Sequence, residues 1–337
     1  MPEVASATST QSGSLSGPRG TLPYDGTTYY GQPAVKKSHY GWLIVSYFFV
    51  GGLAGCSQLI AAIADLRGHQ KNKSIVRAGR YLGFAGSLLS PALLVADLHT
   101  PRRWLNMLRI FRPTSAMSIG AWTLAAFGTF SGFTAVGQLL SDLFHLRFGR
   151  WIARLCGIPA AVAGTVMSFY TGVLLSATST PLWAAAPRLL PALFGSSAAS
   201  TAAAAVELTS RRLGQTPDEK HRLAGFSLLA SALELSLSTA LRLHWRKNHL
   251  DAPLAELPLP NAFITAAAVG AAIPLAMHAH SVCSGRISAK SATTAAVLAL
   301  AGGYALRAAI LFAGNRSADR PTDYFNLCQP NTHQAMH

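Results

Sequence analysis

The chain alternates between long apolar stretches and short polar segments. We draw eight apolar stretches, at residues 41–64, 81–98, 115–140, 152–177, 189–208, 223–243, 261–279 and 292–314. A helix of roughly 18 or more apolar residues crosses about 30 Å of hydrocarbon. The connections are mostly short, as between antiparallel neighbours in a bundle. The pattern therefore predicts an all-α membrane protein of about eight transmembrane helices, arranged as two four-helix bundles.

The composition supports a membrane location. Of the 337 residues, 50% are hydrophobic and 12% are charged, whereas soluble domains are about a quarter charged. We predict an N-terminal extramembrane tail at 1–40, a first bundle at 41–177, a second bundle at 178–314 and a C-terminal tail at 315–337. Residues 1–23 are rich in Ser, Thr, Gly and Pro without an apolar core, so we expect that they do not form a signal peptide.

The net charge of +15 raises the question of a nucleic-acid partner. The basic residues lie in short loops and form no basic face with interleaved aromatic residues, so we expect no nucleic-acid partner. The loops after the odd-numbered stretches carry about 14 Lys and Arg, and the other three loops carry about 8. The first of these loops holds Arg67, Lys71, Lys73, Arg77 and Arg80. The positive-inside rule then predicts a multi-pass protein of the bacterial inner membrane with both termini periplasmic.

One loop departs from this charge rule. It follows the second stretch and places Arg102, Arg103, Arg109 and Arg112 on the predicted outer side. An exception of this kind has a cost at insertion, which indicates a function for these arginines.

Metal-binding and haem motifs are absent from the sequence. The four cysteines, Cys56, Cys156, Cys283 and Cys328, form no CxxC pair, so we expect no iron–sulfur cluster and no other metal in this chain. A membrane b-type haem needs two histidines on facing helices, usually at mid-depth. His278 and His280 lie near one helix end, and His99 and His244 lie at others, so we expect no haem.

Polar residues converge on one end of the first bundle. Tyr47 begins a stripe on the first stretch that continues through Gly51, Gly55, Gln58 and Asp65. Asp97 closes the second stretch, Ser115 is placed to N-cap the third, and Tyr170 lies near the end of the fourth. With alternating helix directions, Tyr47, Asp97, Ser115 and Tyr170 share one membrane depth, which indicates a pocket near the outer surface. For the glycines alone, a plain helix-packing seam is the simpler interpretation.

The second bundle carries an acidic residue at membrane depth. Glu234 lies in a stripe with Ser227, Ser231, Ser238 and Arg242 on the sixth stretch, and Arg307 on the eighth stretch is one possible partner. An ionised carboxylate there must be paired or neutral. A proton relay and a structural inter-helix hydrogen bond both remain open.

Several motifs together resemble the NrfD/PsrC family, the membrane subunits of polysulfide-reductase-like complexes. The motifs are YYGQPAVK at 29–36, YFFVGGLAG at 47–55, Asp97 with Pro101 and Arg102, RPTSAMSIGAW at 112–122, YTGVLL at 170–175, Pro181 and Trp183. Together they span roughly residues 29–200.

The resemblance implies electron exchange between membrane quinone, menaquinone or ubiquinone, and a peripheral ferredoxin-like iron–sulfur subunit. That partner often serves a molybdopterin enzyme or a multihaem cytochrome. The quinone site implied by the family lies in the first bundle, at Tyr47, Asp97, His99, Ser115 and Tyr170. A polysulfide-reductase member has histidine at the position of Tyr47, so this chain departs from the pattern there.

The chemistry of quinone reduction then suggests roles for individual residues. Asp97 and Arg102 are the catalytic candidates: Asp97 as a proton donor or acceptor, and Arg102 as its orienting group or as a contact for the partner subunit. Gln58, Asp65, Glu234 and Arg307 are the candidates for a proton path. The chain holds no complete catalytic site for a terminal substrate. The alternatives are a proton-coupled transporter and a passive membrane anchor of a peripheral complex.

Overall fold

A computed structural model describes residues 35–98, 101–259, 261–284 and 288–328, without the side chains of 101–103 and 326. Eight long helices dominate it. They are α1 (Trp42–Leu66), α2 (Lys73–Ala96), α3 (Ala116–Phe144), α4 (Arg147–Ser176), α5 (Leu189–Arg212), α6 (Pro217–Lys247), α7 (Ala262–Cys283) and α8 (Ala289–Ala318). Short helical turns lie at His69–Asn72, Pro101–Leu108, Pro181–Ala184, Ala252–Ala255 and Pro321–Cys328.

The predicted all-helical membrane fold is confirmed. Seven of the eight long helices in the described residues are long and apolar enough to cross a membrane. The exception is α2, because its first two turns carry Lys73, Arg77 and Arg80. Lys73, Arg77 and Arg80 are therefore helix residues, and our placement of them in a loop was wrong. The second apolar stretch begins later than its helix for the same reason.

Local sequence explains where several helices begin and bend. The Ser115 hydroxyl accepts a hydrogen bond from the Ser118 amide at 3.4 Å, so Ser115 N-caps α3 as predicted. Thr216 and Glu219 form a reciprocal capping box at the start of α6. In α7, a π-helical segment at Ala268–Ala272 precedes Pro274. Proline lacks an amide donor, and the wider turn accommodates that loss.

The helices pack in two groups that meet along α1, α4 and α5. In the first group α1 contacts α2 and α4, and α3 contacts α2 and α4; in the second, α5 contacts α6 and α8, and α7 contacts α6 and α8. Helix α5 is the most enclosed of the seven apolar helices, because 83% of its apolar part is buried. Most of the apolar part of α3 and of α7 lies on the outside of the bundle. The boundaries that we assigned to the two bundles stay a prediction.

Two glycine pairs set the closest helix approaches. A methyl group on Gly55 of α1 would lie 2.1 Å from the Gly164 carbonyl oxygen of α4. A methyl group on Gly302 of α8 would lie 2.2 Å from the Gly270 Cα atom of α7. Only glycine permits these contacts, which are typical of helix packing in membranes.

The chain directions define two ends of the bundle. We call the end at which α1, α3, α5 and α7 begin the Tyr47 end, and the opposite one the Asp65 end. At the Tyr47 end, Lys37 pairs with Asp319 at 2.7 Å, and the Asn315 amide donates to the Tyr40 carbonyl at 3.2 Å. These contacts hold residues 37–40 against the end of α8, which continues to Ala318 and thus past the stretch drawn from sequence.

Candidate functional site

The predicted site residues of the first bundle gather at the Tyr47 end. Tyr47 and Tyr170 are both buried, and their phenol groups are close enough to interact electrostatically. Tyr170 donates a 2.7 Å hydrogen bond to the carbonyl oxygen of Ala116. That carbonyl directly follows Ser115, so α1, α3 and α4 meet here. A methyl group on Gly120 would lie 2.2 Å from the Tyr170 hydroxyl, and glycine therefore makes room for this side chain.

Asp97 joins the same group through a residue that the sequence analysis missed. Tyr40 lies just before α1, and its pKa is raised by burial and by the nearby Asp97 carboxylate. Tyr40 also interacts electrostatically with Tyr170 and stacks on Trp183 with ring centroids 6.1 Å apart. Its position two residues before the first helix, at the depth of Asp97, is the signal that could have found it.

The side chains of two predicted site residues, His99 and Arg102, are not among those that the structure describes. His99 lies outside the described residues, and for Arg102 the structure describes the backbone alone, in the turn at Pro101–Leu108. The N-terminal motif at 29–36 is described only from residue 35. The predicted roles of His99 and Arg102 therefore stay predictions.

The segment that follows Arg102 is exposed and partly apolar. Trp104, Leu105, Ile110 and Phe111 are each at least 43% exposed. Arg109 and Arg112 are exposed beside them. The Ser118 hydroxyl accepts from the Arg112 amide at 2.9 Å, which holds the end of this segment against α3. An exposed surface of this composition is suited to a protein partner.

Gln58 and Asp65 lie deeper on the same face of α1. Gln58 is fully buried, and neither its amide oxygen nor its amide nitrogen has a hydrogen-bond partner. Asp65 is buried in an ion cluster, 3.2 Å from Arg80 and 2.7 Å from His69. Arg80 donates to Gln138 at 2.7 Å, and this bond extends the cluster to α3.

The cluster continues to the surface of the Asp65 end. Gln138 donates to Asp142 at 2.9 Å. Asp142 also binds Arg77 at 2.6 Å and accepts from the Tyr81 hydroxyl at 2.9 Å. Ser57, Ser90 and Ser131 lie on α1, α2 and α3, between this cluster and the tyrosines of the Tyr47 end. Their buried hydroxyls have no hydrogen-bond partner. Buried polar atoms of this kind are usually satisfied by ordered water.

Glu234 and Arg307 lie on the other side of α1, in the second bundle. Arg307 is buried, donates to the Ser197 hydroxyl at 3.0 Å, and lies 5.6 Å from the ring centres of Phe49 and Phe194. Glu234 is buried as well, and one of its carboxyl oxygens has no hydrogen-bond partner. Glu234 and Arg307 are close enough to interact electrostatically, but they form no ion pair within 4.0 Å.

The four candidates for a proton path are thus divided between two places. Gln58 and Asp65 face α2 and α4, whereas Glu234 of α6 and Arg307 of α8 face α5. A methyl group on Gly52 would lie 3.4 Å from Arg307, so Arg307 reaches the opposite face of α1. Within the described residues, no group of three or more His, Cys, Asp or Glu side chains is placed to hold a metal ion.

Comparison with known families decides which class of protein carries this arrangement. A family model described as polysulphide reductase NrfD matches residues 33–317. The match covers most of the chain, including all eight long helices but for the last residue of α8. The chain belongs to the NrfD family. No curated protein matches it.

Membership of this family fixes the general role. NrfD proteins are membrane subunits of quinone-interacting oxidoreductases, and they are the membrane partners of peripheral oxidoreductase subunits. The resemblance identified from the sequence motifs is therefore confirmed, as is a multi-pass membrane protein. The transporter alternative receives no support from this match.

Proposed function

We propose that the chain exchanges electrons between membrane quinone and a peripheral iron–sulfur subunit, with the quinone head group bound at the Tyr47 end. The observation that carries this proposal is the series of interacting groups Asp97, Tyr40, Tyr170 and Tyr47. They come from the segment before α1 and from α1, α2 and α4. Phenol hydroxyls donate hydrogen bonds to quinone carbonyls, and a carboxyl group exchanges protons with them.

Asp97 is the proposed proton donor or acceptor, with Arg102 orienting it. Asp97 is half-buried and ends α2, where its amide bonds to the Leu93 carbonyl at 3.2 Å. This position supports a side chain near the membrane surface, where it would meet both quinone and water. Ser115, Tyr170 and His99 complete the proposed quinone-binding set, with menaquinone or ubiquinone as the substrate.

An Asp97→Asn variant tests this assignment in the intact complex. The amide keeps the shape and loses the exchangeable proton, so quinol turnover falls on the order of 100-fold, as for loss of a general acid or base. Asp319→Asn is the matched control, because Asp319 is a half-exposed carboxylate at the same end. Full quinol turnover in Asp97→Asn would contradict the proposal.

The proposed partner docks on the exposed segment after Arg102. Its apolar side chains and its arginines Arg109 and Arg112 suit an acidic protein surface, and they explain the exception to the positive-inside rule. The proposed partner is a ferredoxin-like iron–sulfur subunit, which would exchange electrons in turn with a molybdopterin or multihaem cytochrome subunit. Arg109→Glu/Arg112→Glu should abolish its co-purification. Arg188→Glu/Lys247→Glu, at exposed positions of the same end, should not.

The proposed proton path begins at Asp65 and passes Gln58. The unpartnered polar atoms of Gln58, Ser57 and Ser90 support it, because water molecules that satisfy them would connect the ion cluster to the tyrosines. Gln58→Leu should slow quinone reduction while leaving quinone bound, and Gln58→Glu should restore it. Glu234 and Arg307 form a second proposed relay. Proton flux in vesicles without any redox partner would favour the transporter alternative.

A further inference from the structure

A cleft lies at the Asp65 end, away from the proposed quinone site. It has a volume of about 70 Å³ and opens between the end of α1, the start of α2 and the start of α6. Its walls are the apolar side chains of Ile60, Ile63, Ile75, Leu223 and Phe226. Ile63 is 38% exposed, so the cleft opens to the surroundings of the bundle. Because α1 and α6 are both apolar enough to cross the membrane, the cleft opens toward lipid.

Two arginines stand at the mouth of this cleft. Arg67 and Arg222 line it and are both exposed. The Arg222 guanidinium donates to the Lys71 carbonyl at 3.2 Å, which holds it across the gap between α6 and the turn before α2. Lys71 and Lys73 add exposed positive charge beside it.

The carboxylates nearby form no ion pair with these arginines. Glu219 accepts the amide hydrogens of Ser74 at 3.0 Å and Thr216 at 2.8 Å, so it is committed to the capping box. Asp218 lies one turn before Arg222 on α6, yet among the described side chains no ion pair within 4.0 Å involves Arg67 or Arg222. Four basic side chains, Arg67, Lys71, Lys73 and Arg222, therefore lie at the mouth of the cleft against two carboxylates, Asp218 and Glu219.

We propose that this cleft binds an anionic phospholipid, with part of one acyl chain against the isoleucines and the phosphate between Arg67 and Arg222. Both arginines lie at the ends of membrane-spanning helices, where lipid head groups lie. Guanidinium groups bind phosphate with paired hydrogen bonds. Basic pockets between transmembrane helices favour anionic head groups, because a zwitterionic lipid brings a cation with its phosphate. The bound lipid joins α1, α2 and α6 and so stabilises the contact between the two bundles.

The test is thermal unfolding of the purified full chain, with any subunits that co-purify, in detergent with added phosphatidylglycerol or phosphatidylcholine. Phosphatidylglycerol should raise the Tm of the wild type, and native mass spectrometry should show it retained. Arg67→Gln/Arg222→Gln should lose most of this rise and the retained lipid. Arg147→Gln/Arg150→Gln removes the same charge at the same end but away from the cleft, and it should behave as the wild type.

Three results would overturn the proposal. An equal Tm rise in all variants would mean that the lipid responds to overall charge alone. A rise of the same size with glycerol phosphate would mean that the site takes phosphate and not a lipid. Displacement of the retained lipid by a quinone would assign the cleft to an isoprenoid tail. Because quinone retention at the Tyr47 end is measured separately, failure here leaves the proposed function unaffected.

Discussion

The Tyr170 hydroxyl donates a 2.7 Å hydrogen bond to the carbonyl oxygen of Ala116, and this bond ties α4 to the first turn of α3. The ring occupies the space that Gly120 leaves open. The bond fixes the Tyr170 phenol beside Tyr47 on α1. The proposed quinone site therefore depends on helix packing as much as on the chemistry of its side chains.

Tyr170→Phe removes the hydroxyl and keeps the ring. The free energy of unfolding should fall by about 1 kcal/mol, because one hydrogen bond is lost. Bound quinone should fall as well, because the head group loses a donor. Tyr304→Phe is the matched control, since the Tyr304 hydroxyl also makes one bond, to Ser46 at 3.1 Å. It should cost similar stability without loss of quinone, and an equal quinone loss in both variants would refute a specific role for Tyr170.

Gly55→Ala should separate α1 from α4. The added methyl group would meet the Gly164 carbonyl oxygen at 2.1 Å, and overpacking of this kind costs about 1–3 kcal/mol. Gly225→Ala is the control, because nothing lies within 4 Å of a methyl group there. It should be neutral or stabilising by up to about 1 kcal/mol through helix propensity. Denaturant unfolding in detergent measures both, and similar stabilities would contradict the close approach of the two helices.

Arg80→Met should destabilise the fold by about 3 kcal/mol, because it leaves the buried Asp65 with one partner fewer. Arg80 is 2% exposed and lies 3.2 Å from Asp65. Lys37→Met removes the half-exposed pair with Asp319 and should change stability by less than about 1 kcal/mol. Unfolding of both variants in the same detergent is the measurement. If Lys37→Met costs as much as Arg80→Met, the ion cluster is not a structural centre.

Asp323 makes stability depend on pH near the end of the chain. Burial raises its pKa to about 6, Glu256 adds to the rise, and Arg320 opposes it. A carboxyl group with a raised folded-state pKa favours the fold in its protonated form. Its contribution is full below pH 3.8, its ordinary pKa, and is lost as the pH rises through about 6.

The Tm difference between wild type and Asp323→Asn isolates this contribution, because the other carboxyl groups are common to both. The wild type should lose Tm relative to the variant between about pH 4 and pH 6. A difference that stays constant across this range would contradict the raised pKa.

The sequence was sufficient for the helices and for the end at which the candidate residues Tyr47, Asp97, Ser115 and Tyr170 gather. Apolar stretches located eight helices, and helix direction placed Tyr47 and Tyr170 at one depth. Short connections make successive helices antiparallel, so the direction of each helix can be predicted from the sequence. The cap at Ser115 is local chemistry and was predicted for the same reason.

Contacts between distant helices could not be predicted. Arg80 looked like a loop charge because its partners, Asp65 and Gln138, lie on other helices. Glu234 and Arg307 were predicted as possible partners, but they form no ion pair, and Arg307 donates to Ser197 on α5 instead. Tyr40 gains its position from Trp183 and Asp97, which are close to it only after folding.

The most direct test of the proposed site is the quinone content of the complex purified in mild detergent, measured by solvent extraction and chromatography. Wild type, Tyr304→Phe and the double variant Tyr47→Phe/Tyr170→Phe are compared at equal folded protein. The account predicts bound quinone in the wild type and in Tyr304→Phe, and loss of most of it in the double variant. Equal quinone in all three, or none in a folded wild-type complex, would contradict a quinone site at the Tyr47 end.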